Sequence, residues 1–413
     1  MENEKKVLIP YWIKIVTVFF LGWVALYATR AVLNPVMDNI QGEFGLSGAQ
    51  LGLISSIFFI GYAGLNVPSG ILGDKIGKKK VLVPGVIMFG LLAAVTGLMP
   101  NFAFFMVAWL LVGMFQGFYY GPQYGLSSEA IPPKHITLGS AIINSGMAFG
   151  LSIGYFISSY TVGTLGMSWR TPFFVIAIPV VLIGIAMFLV IKEKPKTKEE
   201  RATENGGQKL KVKDLFSKNL IFAYITIFCA IYAFFVVVTW IPYYLQHARG
   251  IDGTEVAVVS SLVPWAAIPG SILFSWIADR MGTRRPVLMV MIPLSIIAIV
   301  SIVAFDSMWV LYAALIGYGI FGKISTNPVL VAVVADNAPK HALSTAFGVY
   351  NFIGMCGSIL APYITGLLVD VTGSLNAGFY FAGALLAVAF VSVLMIDEKN
   401  RPNVEGAVVA EAN

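Results

Sequence analysis

The sequence predicts an all-α membrane protein, with twelve transmembrane helices in two six-helix bundles. Three observations predict it. Hydrophobic residues make up 58% of the 413-residue chain and charged residues only 12%, whereas a soluble chain carries roughly a quarter charged. Twelve apolar runs reach the roughly 20 residues a helix needs to cross the hydrocarbon core. The positive charge is also one-sided. Of 27 Lys and Arg, all but Arg30, Arg170, Arg249 and Lys323 fall in segments on one face, the asymmetry that marks the cytoplasm. The net charge of +6 therefore reports topology, and no nucleic-acid partner is expected.

The spans follow in order. Helix 1, residues 12–36, comes after MENEKKVLIPYWIK. Its apolar run is too long for a signal peptide and lacks a small-residue cleavage site, so it is retained. Helices 2 to 6 are expected near 50–72, 81–99, 103–128, 138–160 and 170–191. The charged stretch 192–219, almost without large apolar residues before Leu215, reads as a cytoplasmic linker. Helices 7 to 12 follow near 220–245, 256–278, 286–305, 309–335, 343–368 and 376–396. The bundles are then 1–191 and 220–396, with 397–413 a cytoplasmic tail. An even number of spans puts both termini in the cytoplasm. Cys229 and Cys356 sit in apolar runs without metal-ligand spacing and read as small hydrophobes. No metal, cofactor, nucleophile–base pair or phosphate loop is indicated, which excludes the enzyme classes built on them.

The halves repeat. GILGDKIGKKK at 70–80, after helix 2, is matched by SWIADRMGTRR at 275–285, after helix 8, and IPPKHITLGSAIINSG at 131–146 by APKHALSTAFGVYNFIG at 338–354. Such internal symmetry marks a transporter. The loop at 70–80 resembles the G-x-L-x-D-R-x-G-R-R signature of the major facilitator superfamily, and the spans, linker and repeat extend the likeness over nearly the whole chain. The resemblance implies two bundles rocking about a central site lined by helices 1, 4, 7 and 10. Gly70, Asp74, Lys75 and Gly77, with Asp279 and Arg280 in the second half, are expected to form a conformational latch. Gly70 and Gly73 permit close helix approach, Asp74 suits a helix N-terminus, and Lys75 with Lys78 to Lys80 faces the cytoplasm.

Two cations lie where the membrane makes them expensive. Arg30 is roughly 24 Å past Lys14 along a helix that rises 1.5 Å per residue. Snorkelling to the outer face is the alternative to a function. Trp23, Tyr27, Arg30 and Asn34 recur at helical spacing and share a face, which suits bidentate recognition of a carboxylate, sulfonate or phosphate. Lys323, near the centre of helix 10, is too deep to snorkel easily. Asn327 lies one turn on, and Pro328 is expected to loosen the backbone there. No Asp or Glu falls in the middle of any span, and His135, His247 and His341 are placed in loops. Two such cations favour an anion as their counter-charge, with a modest lean to a dianion.

Helix 4 contributes Gln116, Tyr119, Tyr120, Gln123 and Tyr124 beside Gly117, Gly121 and Gly125. Tyrosine hydroxyls orient an oxyanion without adding charge. On helix 7, Tyr232, Thr239 and Tyr243 share a face, with a break expected near Trp240 and Pro242. Asn144 and Asn351 read as interhelical hydrogen-bonding amides. The pair Tyr27 and Arg30 resembles the Y-x-x-R of two anion-carrying branches, the organophosphate:phosphate antiporters and the anion:cation symporters. FQG at 115–117 and APKHALSTAFG at 338–348 are similar to the first, SWRTPFF at 168–174 to the second. The chain departs from both. Thr29 and Gln116 stand where proton-coupled sugar-acid symporters carry acids, and helix 7 has no arginine, a role Lys323 takes from helix 10.

The expectation is therefore a transporter of small organic anions such as dicarboxylates or sulfocarboxylates, in the inner membrane, acting as a monomer with the lipid bilayer around it. Arg30 and Lys323 clamp the anion, and Tyr27, Tyr119, Tyr120, Gln123 and Asn327 orient it. Exchange or uniport is favoured. Proton-coupled symport of a sugar acid or other monocarboxylate, coupled through Glu129 or Asp38, is the alternative.

Overall fold

The computed structural model describes residues 10–132, 135–193, 215–338 and 343–397, without the side chains of Val67, Asp74, Ile136, Thr137 and residues 343–345. Most of the expected linker and tail, His341, and the side chain of Asp74 lie outside the described residues. Among the described residues all regular structure is helical, and twelve helices are long and apolar enough to cross a membrane.

Helix 1 is Tyr11–Ala31, shorter than expected because Pro35 has no N–H to continue it; a 3-10 turn, Asn34–Val36, and a short helix, Met37–Phe44, follow. Helix 2 is Gly48–Ile76, helix 3 Lys78–Gly97, helix 5 Ile136–Ser158 and helix 6 Thr171–Val190. Helix 7 is Lys218–Arg249, helix 8 Thr254–Met281, helix 9 Arg285–Ala304, helix 11 Leu343–Thr372 and helix 12 Asn376–Leu394. Helices 4 and 10 each come in two pieces: Phe102–Gly117 with Tyr120–Ala130, and Met308–Phe321 with Lys323–Asn337. Helix 7 is continuous through Trp240 and Pro242, and its last turn includes His247, which the sequence placed in a loop.

The described residues fall into two packing units, one drawn from Met1–Leu33 and Ile60–Pro195, the other from Asn34–Phe59 and Lys196–Asn413. In the first, helix 1 lies along helix 5. Gly146, Gly150 and Gly154 on helix 5 make the approach possible. A methyl added at Gly146 would stand 2.7 Å from the Phe20 carbonyl oxygen, and one at Gly150 would stand 2.6 Å from that of Val24. Between helices without a hydrophobic drive to associate in lipid, such small residues let the backbones meet. The contact fixes helix 1 against helix 5, while Arg30 meets helices 2 and 4.

In the second unit, helix 7 packs on helices 11 and 12. Gly357 repeats the device, with an added methyl 2.7 Å from the Phe228 carbonyl oxygen. The start of helix 2 rests on helix 11. There the Asp370 carboxylate accepts from the N–H groups of Gly48, at 2.6 Å, and Ala49, at 2.8 Å, while Ser56 donates to the Ile359 carbonyl at 2.6 Å. A carboxylate on a helix N-terminus satisfies donors that have no partner within the helix.

Gly150→Leu is expected to force helices 1 and 5 apart at a cost of about 1–3 kcal/mol, read as a lower melting temperature of the purified protein in detergent. Gly64→Ala, where an added methyl meets nothing within 4 Å, is the control and should leave the melting temperature unchanged or raise it.

Candidate functional site

Arg30 stands in the last turn of helix 1. Its Nε donates to Gln116 Oε1 on helix 4 at 2.9 Å. The guanidinium carbon lies 4.9 Å from the ring centre of Tyr27 and 4.6 Å from that of Tyr62 on helix 2. These three partners are neutral. Aromatic faces attract a planar cation through the ring quadrupole, and the flat fork of arginine suits that arrangement.

An aromatic stack runs from this point along helices 1 and 4. Tyr27 stacks on Trp23 with centroids 5.5 Å apart, Trp23 meets Tyr120 edge-on at 6.2 Å, and Tyr120 lies 4.7 Å from Tyr124. The hydroxyl of Tyr124 donates to Asn144 on helix 5 at 3.2 Å. Trp23 donates from Nε1 to Gln123 Oε1 at 3.2 Å, and Gln123 passes a hydrogen bond to Ser127 at 2.7 Å. The structure thus gathers Tyr27, Tyr120 and Gln123 around Trp23, with Arg30 on Tyr27. Tyr119 turns elsewhere: it is buried against helix 1 and donates to the Phe19 carbonyl at 3.0 Å.

Helix 4 breaks after Gly117, which sits tightly against helix 2. Ser69 donates to the Gly117 carbonyl at 2.9 Å, supplying the partner that the interrupted helix removes. Pro122 completes the break, since it has no N–H to offer.

In the second unit, Lys323 is the first residue of the second piece of helix 10. The discontinuity lies at Gly322, not at Pro328 as the sequence suggested. The Gly322 carbonyl accepts from the N–H groups of Ser325 and Thr326, and Ser325 Oγ donates to the Gly319 carbonyl at 3.0 Å. Lys323 Nζ lies 5.6 Å from the ring centre of Phe234 on helix 7. Asn327 Oδ1 accepts from the Tyr350 hydroxyl of helix 11 at 3.1 Å. Asn34, expected on the Arg30 face, instead donates to the Val238 carbonyl at 3.0 Å.

The loop motif between helices 2 and 3 is built as a cap. Gly77, at φ +113°, closes helix 2 in a conformation that favours glycine. The Glu193 carboxylate accepts from the N–H groups of Lys78, at 2.6 Å, and Lys79, at 3.0 Å. Lys78 Nζ pairs with Glu129 at 2.5 Å, and Lys79 Nζ donates to the Ile191 carbonyl at 2.6 Å. A methyl on Gly121 would come 3.3 Å from Gly70 Cα, so these glycines mark the crossing of helices 2 and 4. Lys75 is exposed.

In the second half the matching loop is held by ion pairs and a carbonyl contact. Arg284 pairs with Asp279 at 2.8 Å and lies 3.8 Å from Asp336, and Arg285 donates to the Leu394 carbonyl at 2.7 Å. Arg280 lies over Trp276, 5.2 Å from its ring centre. Sequence reasoning placed Gln116 among the polar groups of helix 4 but not as the partner of Arg30, and it left Tyr62 out of the site and Glu193, Glu129, Arg284 and Asp336 out of the latch. Only the half-repeat could have signalled Arg284, since 284 and 79 occupy matching places in their motifs.

The chain is similar to known proteins over nearly its whole length. The Major Facilitator Superfamily model matches residues 19–252 and 223–412. The "Hexuronate transporter" of Bacillus subtilis (strain 168) is 25% identical over 92% of this chain and 93% of its own. The "Probable galactarate/D-glucarate transporter GudP" of the same strain is 26% identical over 92% and 91%. The "Probable sulfoacetate transporter SauU" of Cupriavidus necator is 26% identical over 93% of each chain. Among solved structures, a bacterial homolog of the human lysosomal transporter Spinster, in an inward-facing and occupied conformation, aligns with a TM-score of 0.80 over 96% of this chain and 100% of its own, at 15% identity. That likeness shows the fold.

Glu193→Ala removes the cap on helix 3. It is expected to cost about 1 kcal/mol, measured as a lower melting temperature, with Glu193→Asp recovering part of the loss.

Proposed function

Because the chain belongs to the major facilitator superfamily, and is a transporter and not an enzyme, we propose that it carries small organic anions across the inner membrane, with both termini in the cytoplasm. The observation that carries the reading is Arg30, an arginine inside the span of helix 1 where the membrane makes a cation expensive, held by groups that include Gln116, Tyr27 and Tyr62. Lys323 supplies a second positive charge, at the start of a half-helix whose N-terminal dipole also favours an anion. Tyr27, Tyr120, Gln123 and Asn327 shape the polar surroundings. The Tyr119 hydroxyl is engaged by helix 1, so its part is to hold helix 4 in place.

Relatives named for galactarate and D-glucarate, and for sulfoacetate, support the class. Each of those solutes carries two acidic groups, which suits two cations. The sequence puts no acid in the middle of any span, which favours exchange or uniport over proton symport. A second reading, uptake of a sugar acid bearing one carboxylate with Arg30 as its anion ligand, is favoured by the relative named for hexuronate. Helices 1 to 6 and 7 to 12 act as the two moving bundles of a monomer in the bilayer, and the capped loop at 70–80 and the ion-paired loop at 275–285 restrain them in one state.

A melting-temperature screen of the purified protein against mono- and dianions tests the reading. A ligand at 100 times its Kd that binds only the folded state stabilises it by about 2.7 kcal/mol. Arg30→Ala should lose binding and transport of every anion, by at least roughly 30-fold, since truncating one partner of a charged contact costs about 2–5 kcal/mol. Full transport by that variant would refute the anion site. Lys323→Ala should weaken dianions selectively. Monoanion stabilisation that is unchanged in Lys323→Ala would favour the sugar-acid reading.

A further inference from the structure

Helix 2 begins with a cap of its own. The Ser47 hydroxyl accepts from the Gln50 N–H at 3.2 Å, and the Gln50 side-chain oxygen accepts from the Ser47 N–H at 2.9 Å. Such a reciprocal pair secures a helix start from within the chain. Asp370 is added to it. Its carboxylate takes the N–H groups of Gly48 and Ala49, which the pair leaves over. Helix 11 itself gains nothing from a carboxylate there. Asp370 lies in its last turn, where the helix dipole disfavours negative charge, and it is exposed. What rewards it is the start of helix 2.

The surfaces beneath this contact are bare backbone. A methyl added at Gly48 would stand 2.7 Å from the Gly366 carbonyl oxygen, and one at Gly366 would strike the backbone of Gly48. Helix 7 holds the segment before helix 2. Gln246 donates to the Pro35 carbonyl at 3.0 Å, Tyr243 donates to Gln41 Oε1 at 2.8 Å, and His247 Nε2 lies 2.9 Å from Asp38 Oδ1. Residues 34–59 belong by sequence to the first six helices, yet they pack with the second unit.

We propose that Asp370 is a releasable latch on the outer side of the membrane. It holds helix 2 on helix 11 while that side is closed and lets go when that side opens. Release leaves little unsatisfied. The carboxylate and the freed N–H groups meet water, and Ser47 with Gln50 keeps helix 2 capped. The facing glycines let the helices part with no side chain to unpack. The proposal rests on the transport reading and its topology, and adds the element that sets the resting state. The loop at 70–80 lies at the other end of helix 2, so one helix carries a restraint at each end, and the two hold opposite states.

Labelling of a covered thiol tests this without any substrate. Ser56 is buried and donates to the Ile359 carbonyl of helix 11. Ser56→Cys, in a chain with Cys229 and Cys356 replaced by alanine, is the parent, and a membrane-impermeant maleimide is added outside right-side-out vesicles. Asp370→Ala should raise the labelling rate by about tenfold or more, the weight of hydrogen bonds to a charged group. Asp370→Asn keeps one acceptor oxygen and should fall between. Gln50→Ala, which removes the helix's own cap, should lower the melting temperature without a comparable rise in labelling. Rates within about twofold of the parent in both Asp370 variants, too small a change for a lost charged contact, overturn the proposal. So does a Gln50→Ala rate equal to that of Asp370→Ala, which makes fraying of helix 2 the cause. The assay needs no anion, so its failure is distinct from failure of the ligand screen above. Labelling of the parent from the inner face alone would defeat the topology and this inference with it.

Discussion

Everything in this molecule is arranged around the cost of an unsatisfied polar group in hydrocarbon. Water is absent from the bilayer core, so backbone and side-chain polar groups must find partners within the protein. This explains why the fold is helical. It also explains why each interruption of a helix comes with a substitute partner. Where helix 4 breaks at Gly117, Ser69 covers the exposed carbonyl. Where helix 10 breaks at Gly322, Ser325 covers that of Gly319. Where helix 2 ends at Gly77, the next helix begins on the Glu193 carboxylate. Arg30 obeys the same rule: an amide oxygen and two ring faces are among its partners.

Much of the fold was legible in the sequence because hydropathy and charge asymmetry act over twenty residues at a time and survive local error. All twelve spans, and the matching loops at 70–80 and 275–285, follow from that scale. The misses are local. Helix 1 stops at Ala31 because of Pro35. The break in helix 10 precedes Lys323 at Gly322, because a glycine fits against the Tyr318 backbone while Pro328 is accommodated within the helix. His247 belongs to helix 7 because that helix runs on to Arg249 before Gly250 turns it off in the left-handed region.

The site was legible only as single residues. Helical spacing put Tyr27 and Arg30 on one face, and it could do so because both lie on one helix. It placed Asn34 there as well, but the chain has left the helix by then, and Asn34 bonds to Val238. Tyr62 was invisible as a partner because nothing in its own helix distinguishes it from any other buried aromatic. Gln116 was noticed as a polar group of helix 4 and as a departure from an acid, but not for what it touches. Partners on different helices are set by crossing geometry, which a single sequence does not carry. Asp279 shows the same limit: the sequence grouped it with Arg280 in the latch, and the structure pairs it with Arg284.

The two broken helices carry the argument further. The same interval of residues separates Gly117 from Gly322 as separates the two loop motifs, so the breaks are counterparts within the half-repeat. Their surroundings differ. Beyond the first break come Tyr119, Tyr120 and Gln123, neutral groups tied to helix 1 or to its aromatic stack. Beyond the second comes Lys323, a charge against Phe234. In the first half, by contrast, the charge comes from helix 1 as Arg30, and helix 4 meets it through Gln116. A repeated backbone can thus keep the same discontinuity in both halves while assigning the cation to a different helix in each. The break is a requirement of packing, since Gly117 meets the backbone of helix 2 and Gly319, just before the second break, meets that of helix 8. The cation is not required by packing, and in hydrocarbon a charge without such a reason is expensive to keep. That contrast is the physical ground for reading Arg30 and Lys323 as functional and the glycines around them as structural.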